Sequence, residues 1–323
     1  MGVSYEFSIG SVRSKEKSLL SAADLSQLLA LSSEDELVRF LSDKGYGDGD
    51  TADEIIADNE QKMWEYLKSI VPDPELLAPF FRQNDIHNFK AAIKGIMSGR
   101  EYEALLMFPA SISAKELTDA LENRRFDRLP EWVAGAADQA YELLAQTKDA
   151  RLSDAVIDRA MLRSFTEYAA SARSDFLREY FLTQVFYSDI KIAIRASRTG
   201  TSMDYLDKAL QETEGIDMPV FKRKTLAGSG ELLKYLENLS AFGCSAAIAK
   251  YRESPALFEK AVDDMMILMT RKYCRYSSEG AEPLLGYYLA SVHERKLVHI
   301  IASGLKTNTP PEKIRERLRE TYG

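Results

Sequence analysis

Three stretches of the chain carry one helical pattern at nearly equal spacing, and this repeat limits the possible folds more than any other feature. Phe81–Gly99 reads FRQNDIHNFKAAIKGIMSG, Phe181–Gly200 reads FLTQVFYSDIKIAIRASRTG, and Tyr288–Thr307 reads YLASVHERKLVHIIASGLKT. Placing Asn88, Asp189 and Lys296 in one column brings Phe89, Ile190 and Leu297 together. It also joins Ile93, Ile194 and Ile301, and then Gly95, Ala196 and Ser303. The separations are 101 and 107 residues, and a third of the 323-residue chain is close to 108. A second element recurs between the stretches: SAADLSQLL at Ser21–Leu29, SAKELTDAL at Ser113–Leu121 and SGELLKYL at Ser229–Leu236. Each opens on a Ser suited to accept a backbone N–H at a helix start. The expected organisation is therefore three similar helical bundle units in tandem, at residues 1–107, 108–215 and 216–323, with parts of each exchanged between neighbours. Such units can stack as a solenoid or close around a pseudo-threefold axis, and periodicity alone leaves both open.

The expected class is all-α. Residues 52–71 place Ile55, Ile56, Met63, Tyr66, Leu67 and Ile70 on one stripe before Pro72 and Pro74 stop the helix. Further amphipathic runs cover 130–146, 153–172, 174–199, 255–272 and 283–305, and a short charged helix is expected over 310–322. Pro130 suits a first-turn position with Glu131 behind it, and Ser174 suits a cap. No apolar–polar alternation longer than four residues appears, and 10 Pro with 17 Gly are few for an all-β chain of this length. Small residues on the repeated helices, Ala91, Ala92 and Gly95, then Ala193 and Ala196, permit close helix contact.

The chemistry expected of these residues is sparse. Net charge is −8, and residues 1–100 hold 11 Lys/Arg against 17 Asp/Glu, so a nucleic-acid partner is not expected. Two cysteines, Cys244 and Cys274, make no disulfide framework and read as buried small apolar groups in a reducing compartment. Met1–Gly10 lacks the basic start and apolar core of a secretion signal, and no stretch reaches the roughly 18 apolar residues of a membrane helix. His87, His293 and His299 show no metal-binding spacing, so no metal and no cofactor are expected. The loop KGYGDGD at Lys44–Asp50 reads as solvated, and Gly228-Ser229-Gly230 as a joint that lacks a phosphate-loop lysine. One positive signal remains. Lys90 and Lys94, like Lys191 and Arg195, are four residues apart at aligned positions, so each pair shares a helix face. These four are the candidate partner-interface residues; the third stretch departs, with Val298 and Ala302 in those columns.

The repeated stretches and the tail PPEKIRERLRETY resemble the C subunits of prokaryotic V/A-type ATPases and ATP synthases, the counterparts of the eukaryotic d subunit. The resemblance rests on Asp85-Ile86-His87-Asn88-Phe89-Lys90, on FLREYF at Phe176–Phe181, on Arg128-Leu129-Pro130-Glu131-Trp132 and on PLLGYYL at Pro283–Leu289. It covers the chain from Tyr5 onward. Asp189 and Lys296 stand where Asn is usual in that family, and both read as surface-compatible exchanges. The resemblance implies a funnel of three helical bundles around a pseudo-threefold axis. It implies a non-catalytic central-stalk rotor component that receives the D–F shaft of the ATPase at one end and sits on the membrane proteolipid ring at the other. It also implies a cytoplasmic, peripheral location on the inner membrane face, one copy per complex, and a monomer in isolation. The alternatives from other classes are a helical-repeat scaffold for an unrelated protein partner, and an all-α enzyme with a site between units.

Overall fold

The computed structural model describes residues 4–323 and is helical, with no strand among the described residues. The first three residues of the Met1–Gly10 stretch lie outside that range. In chain order the helices are α1 (Tyr5–Lys15), α2 (Ala22–Leu28), α3 (Glu34–Asp43), α4 (Ala52–Ile70), α5 (Ala78–Ser98), α6 (Ala114–Glu122), α7 (Glu131–Thr147) and α8 (Ala150–Ser171). They continue with α9 (Asp175–Thr199), α10 (Met203–Ala209), α11 (Met218–Leu226), α12 (Ser229–Glu237), α13 (Cys244–Glu253), α14 (Pro255–Cys274), α15 (Glu282–Lys306) and α16 (Pro311–Arg317). Among the described residues no helix is long and apolar enough to cross a membrane.

The helix starts follow side-chain chemistry. Ser21 and Ser113 each close a capping box, with Asp24 and Glu116 returning a bond to the cap backbone. Ser229 does not cap as expected. Gly228, at φ 101°, is the N-cap and Ser229 is the first helical residue. The Ser229 hydroxyl instead meets the Ser197 hydroxyl of α9 at 3.0 Å. Pro130 is likewise the cap, and α7 begins at Glu131. The last helix stops at Arg317 rather than running to Tyr322. Leu318 and Tyr322 are instead buried, and the Leu318 carbonyl accepts from Lys260.

The chain forms two compact units, 1–76 with 249–323, and 77–248, so both expected boundaries, after 107 and after 215, fall within the second. In the first unit, α15 packs against α1, α3, α4, α14 and α16. A core of Leu25, Leu28, Leu37, Leu41, Ile55 and Ile56 meets Leu297, Val298 and Ile301 of α15. Arg13 of α1 donates to the Cys274 and Ser277 carbonyls at 2.7 and 2.6 Å, tying the early and late segments together. In the second unit, α5 packs on α6 and α8, α7 on α8, and α8 on α9 and α10. Phe89, Ala92, Ile93, Leu117, Leu121, Val133 and Ile157 share one core.

Burial settles the register of the three long helices. Asp85, Ile86, Asn88, Phe89, Ala92, Ile93 and Gly95 are the buried positions of α5 beyond its first turn. The same spacing in α9 gives Phe186, Tyr187, Asp189, Ile190, Ala193, Ile194 and Ala196, all buried. In α15 it gives Glu294, Arg295, Leu297, Val298, Ile301, Ala302 and Gly304, again all buried. The third stretch therefore aligns one residue later than its apolar residues suggested. Leu297 corresponds to Asn88, and Gly304 to Gly95. Lys296 and Ser303, placed in those columns from the sequence, are exposed. The cause is that α15 opens this pattern on two charged residues, Glu294 and Arg295, which a search for matching apolar residues passes over.

Candidate functional site

The four basic candidates all lie in the second unit, on α5 and α9. Lys90 pairs with Asp158 and Lys94 with Asp154, each at 2.6 Å, both acids being on α8. Asp154 and Asp158 are also four apart, so the two pairs form a ladder between α5 and α8. Arg195 of α9 is exposed and acts electrostatically on the same Asp158. Lys191 is half-buried one turn earlier. The corrected register moves the third-stretch counterparts of Lys90 and Lys94 from Val298 and Ala302 to His299 and Ser303. Lys90 and Lys94 thus hold α5 to α8, an internal use that their spacing alone did not suggest.

A second polar group, notable in the sequence only as a family motif, has a clear physical task. The polar face of α5 grips the segment that follows it. Asn88 donates to the Met107 carbonyl at 2.9 Å and accepts from the Met107 N–H at 2.7 Å. Asn84 donates to the Pro109 carbonyl at 2.8 Å, and His87 meets the Leu105 carbonyl at 2.9 Å. Asp85, 2% exposed, accepts from the Ser111 and Ile112 N–H groups at 2.8 and 3.0 Å and from the Ser111 hydroxyl. Burial still raises the Asp85 carboxyl above its ordinary value, against these bonds.

The other long helices place buried acids in similar roles. Asp189 is fully buried, not at the surface, and accepts from the Gln211 N–H at 3.1 Å, while its other oxygen has no partner. Burial pushes its carboxyl far up. Glu294 occupies the α15 position that corresponds to Asp85. It accepts from the Leu20 N–H, immediately before the Ser21 cap, as Asp85 does at Ile112 before the Ser113 cap. Burial pushes Glu294 up to about 8.

The remaining candidates serve structure. Cys244 is fully buried and its thiol is pushed up to about 12 by burial, and Cys274 is raised further for the same reason. The His293 ring meets the Glu320 carbonyl at 2.7 Å. No group of metal-ligating side chains occurs among the described residues. The loop at Lys44–Asp50 is not wholly solvated, because Tyr46 and Gly47 are buried against α4 and Lys62 bridges Asp48 and Asp58 at 2.6 and 2.8 Å. A cavity of about 60 Å³ touches Tyr46 and Glu294. A more open one of about 420 Å³ lies beside Lys296, His299 and Arg317.

A family model described as the ATP synthase (C/AC39) subunit matches residues 8–317. The C subunit of the A-type ATP synthase of Methanocaldococcus jannaschii is 24% identical, over 97% of this chain and 86% of the relative. The C subunit of the V-type sodium ATPase of Enterococcus hirae is 20% identical, over 96% of this chain and 97% of the relative. The C subunit of the V-type ATP synthase of Thermus thermophilus is 23% identical over 60% of this chain and 63% of its own length. On a match spanning nearly all of its length, the chain belongs to the ATP synthase (C/AC39) subunit family, the non-catalytic C subunits of V/A-type ATPase complexes.

Proposed function

We propose that this chain is a central-stalk rotor component that links a D–F shaft to the proteolipid ring of the membrane sector. It passes torque between ATP chemistry and ion movement. The observation that carries this reading is the family match over residues 8–317. The build is consistent with such a part. Three long helices of 21, 25 and 25 residues share one pattern of burial, and each holds a following or preceding segment through a buried polar side chain. A torque-bearing adaptor needs this resistance to twisting. The tandem arrangement of three units about a pseudo-threefold axis belongs to the same reading. So does a peripheral place on the cytoplasmic face of the membrane, with one copy per complex.

Lys90, Lys94, Lys191 and Arg195 enter this proposal as a charged face for the shaft. Because Lys90 and Lys94 already pair with α8, reversing their charge is expected to lower stability as well as binding. Reversal at exposed Arg195, which lends Asp158 only a Coulombic attraction, is expected to weaken binding with a smaller loss of stability. The test is capture of the D–F shaft of the same organism by the tagged chain across a salt series. Stoichiometric capture that weakens with salt supports the proposal. No capture at low salt, with all three proteins folded, removes it.

A further inference from the structure

The segment gripped by α5 presents an apolar surface. Leu105, Met107 and Phe108 are 58%, 47% and 60% exposed, three of the nine large apolar side chains that stand exposed among the described residues. Between them, Leu106 turns inward against the core, and Tyr102 packs over Gly95 with its hydroxyl 2.7 Å from the Thr118 hydroxyl. The backbone that carries the outward side chains is held in place. The carbonyls of Leu105, Met107 and Pro109 and the N–H groups of Met107, Ser111 and Ile112 are all bonded to Asn84, Asp85, His87 or Asn88. A flexible loop would lose entropy on docking, whereas this one is already ordered. Leaving Leu, Met and Phe in water on a rigid support brings the folded chain nothing and suits a contact.

We propose that Leu105, Met107 and Phe108 form the apolar anchor by which this chain docks on the membrane-embedded ring. This deepens the rotor reading and rests on it. Charge selects the occupant. The segment from 101 to 112 carries Glu101 and Glu103 and no Lys or Arg, with Arg100 and Lys115 flanking it. An anionic lipid surface attracts peripheral proteins through Lys and Arg, so an acidic tip is the wrong sign for it. The cytoplasmic loops of membrane proteins are rich in Lys and Arg and stand beside apolar helix ends. An apolar knuckle with a carboxylate rim complements such loops.

The test uses the full chain, with wild type and the variant L105S/M107S/F108S compared. The probes are the detergent-solubilised membrane sector of the same organism, the soluble D–F shaft, and phosphatidylglycerol vesicles. The expected result is a loss of about tenfold or more in affinity for the membrane sector, with shaft binding and melting temperature unchanged. The charge variant E101K/E103K, which leaves the apolar residues in place, should also bind the sector more weakly. Equal sector binding by wild type and both variants overturns the anchor while leaving the rotor reading intact. Wild type that binds neither sector nor shaft overturns the rotor reading itself. Loss of shaft binding in place of sector binding, or binding of wild type to vesicles alone, assigns the knuckle elsewhere and overturns the proposal. If the triple variant misfolds, Phe108→Ser takes its place under the same criteria.

Discussion

Helix α5 in the second unit and α15 in the first do similar work at matching positions with different residues. Asp85 and Glu294 each hold the N–H just before a Ser-capped helix. Gly95 and Gly304 each leave room for a side chain from the segment that follows, Tyr102 and Ile314 respectively. One turn along, they part. Asn88 makes two further bonds to Met107, whereas Leu297, its counterpart, is an apolar core residue. Asp85 has three donors, and Glu294 is raised to about 8. The repeat therefore keeps backbone jobs and burial, and it varies the chemistry that performs them.

Exchanging the two residues breaks the comparison most severely. Asn88→Leu removes both bonds to Met107 and leaves that backbone unpaired. Leu297→Asn buries an amide without a partner. Each should cost about 2–4 kcal/mol in denaturant unfolding. A small cost for either would mean that the two junctions are interchangeable.

Glu294→Gln sharpens the contrast through pH. The carboxyl ionises near 4.5 in the unfolded chain and near 8 in the folded one, so between these values the folded state holds the extra proton. Its contribution is fully present below 4.5 and is lost as pH rises through the window to about 8. Gln takes no proton, so the variant should gain about 2 kcal/mol or more on the parent across that range. Parallel stability profiles would show that the buried group is ionised throughout.

Smaller effects follow at the glycine column and at α9. A Cβ at Gly95 would lie 2.6 Å from the Tyr102 ring, while Ala196 fills the same column of α9 and is buried without difficulty. Gly95→Ala should cost about 1–3 kcal/mol by thermal or chemical unfolding. Asp189→Asn restores the residue type of α5 at a site where one carboxylate oxygen lacks a partner. It should stabilise by about 1 kcal/mol at neutral pH. Destabilisation would indicate that the charge of Asp189 is used.

The long helices were legible because amphipathic spacing and caps are local, as was the stop of α4 before Pro72, whereas the early stop of the last helix at Arg317 was not. Ser21 and Ser113 capped as expected, while Ser229 did not, and its contact with Ser197 of α9, 32 positions away, left no local sign. The register of α15 was not legible, because Glu294 and Arg295 sit where a search by apolar identity expects hydrophobic residues. Pairings between distant segments were also hidden. Leu20 and Glu294 are 274 positions apart, and no periodicity joins them. The internal use of Lys90 and Lys94 had a readable signal in Asp154 and Asp158, which share the spacing of four. The exposed run at 105–108 looked like ordinary loop sequence until the grip of Asn84, Asp85, His87 and Asn88 revealed that it is held rigid.

The central claim is that this chain bridges shaft and ring. Its most direct test is to immobilise the membrane sector purified without this protein, add the soluble D–F shaft, and measure shaft retention with and without the chain. The account predicts retention only when the chain is present, at one copy of chain per shaft. Equal retention without it, or none with it, would contradict the account.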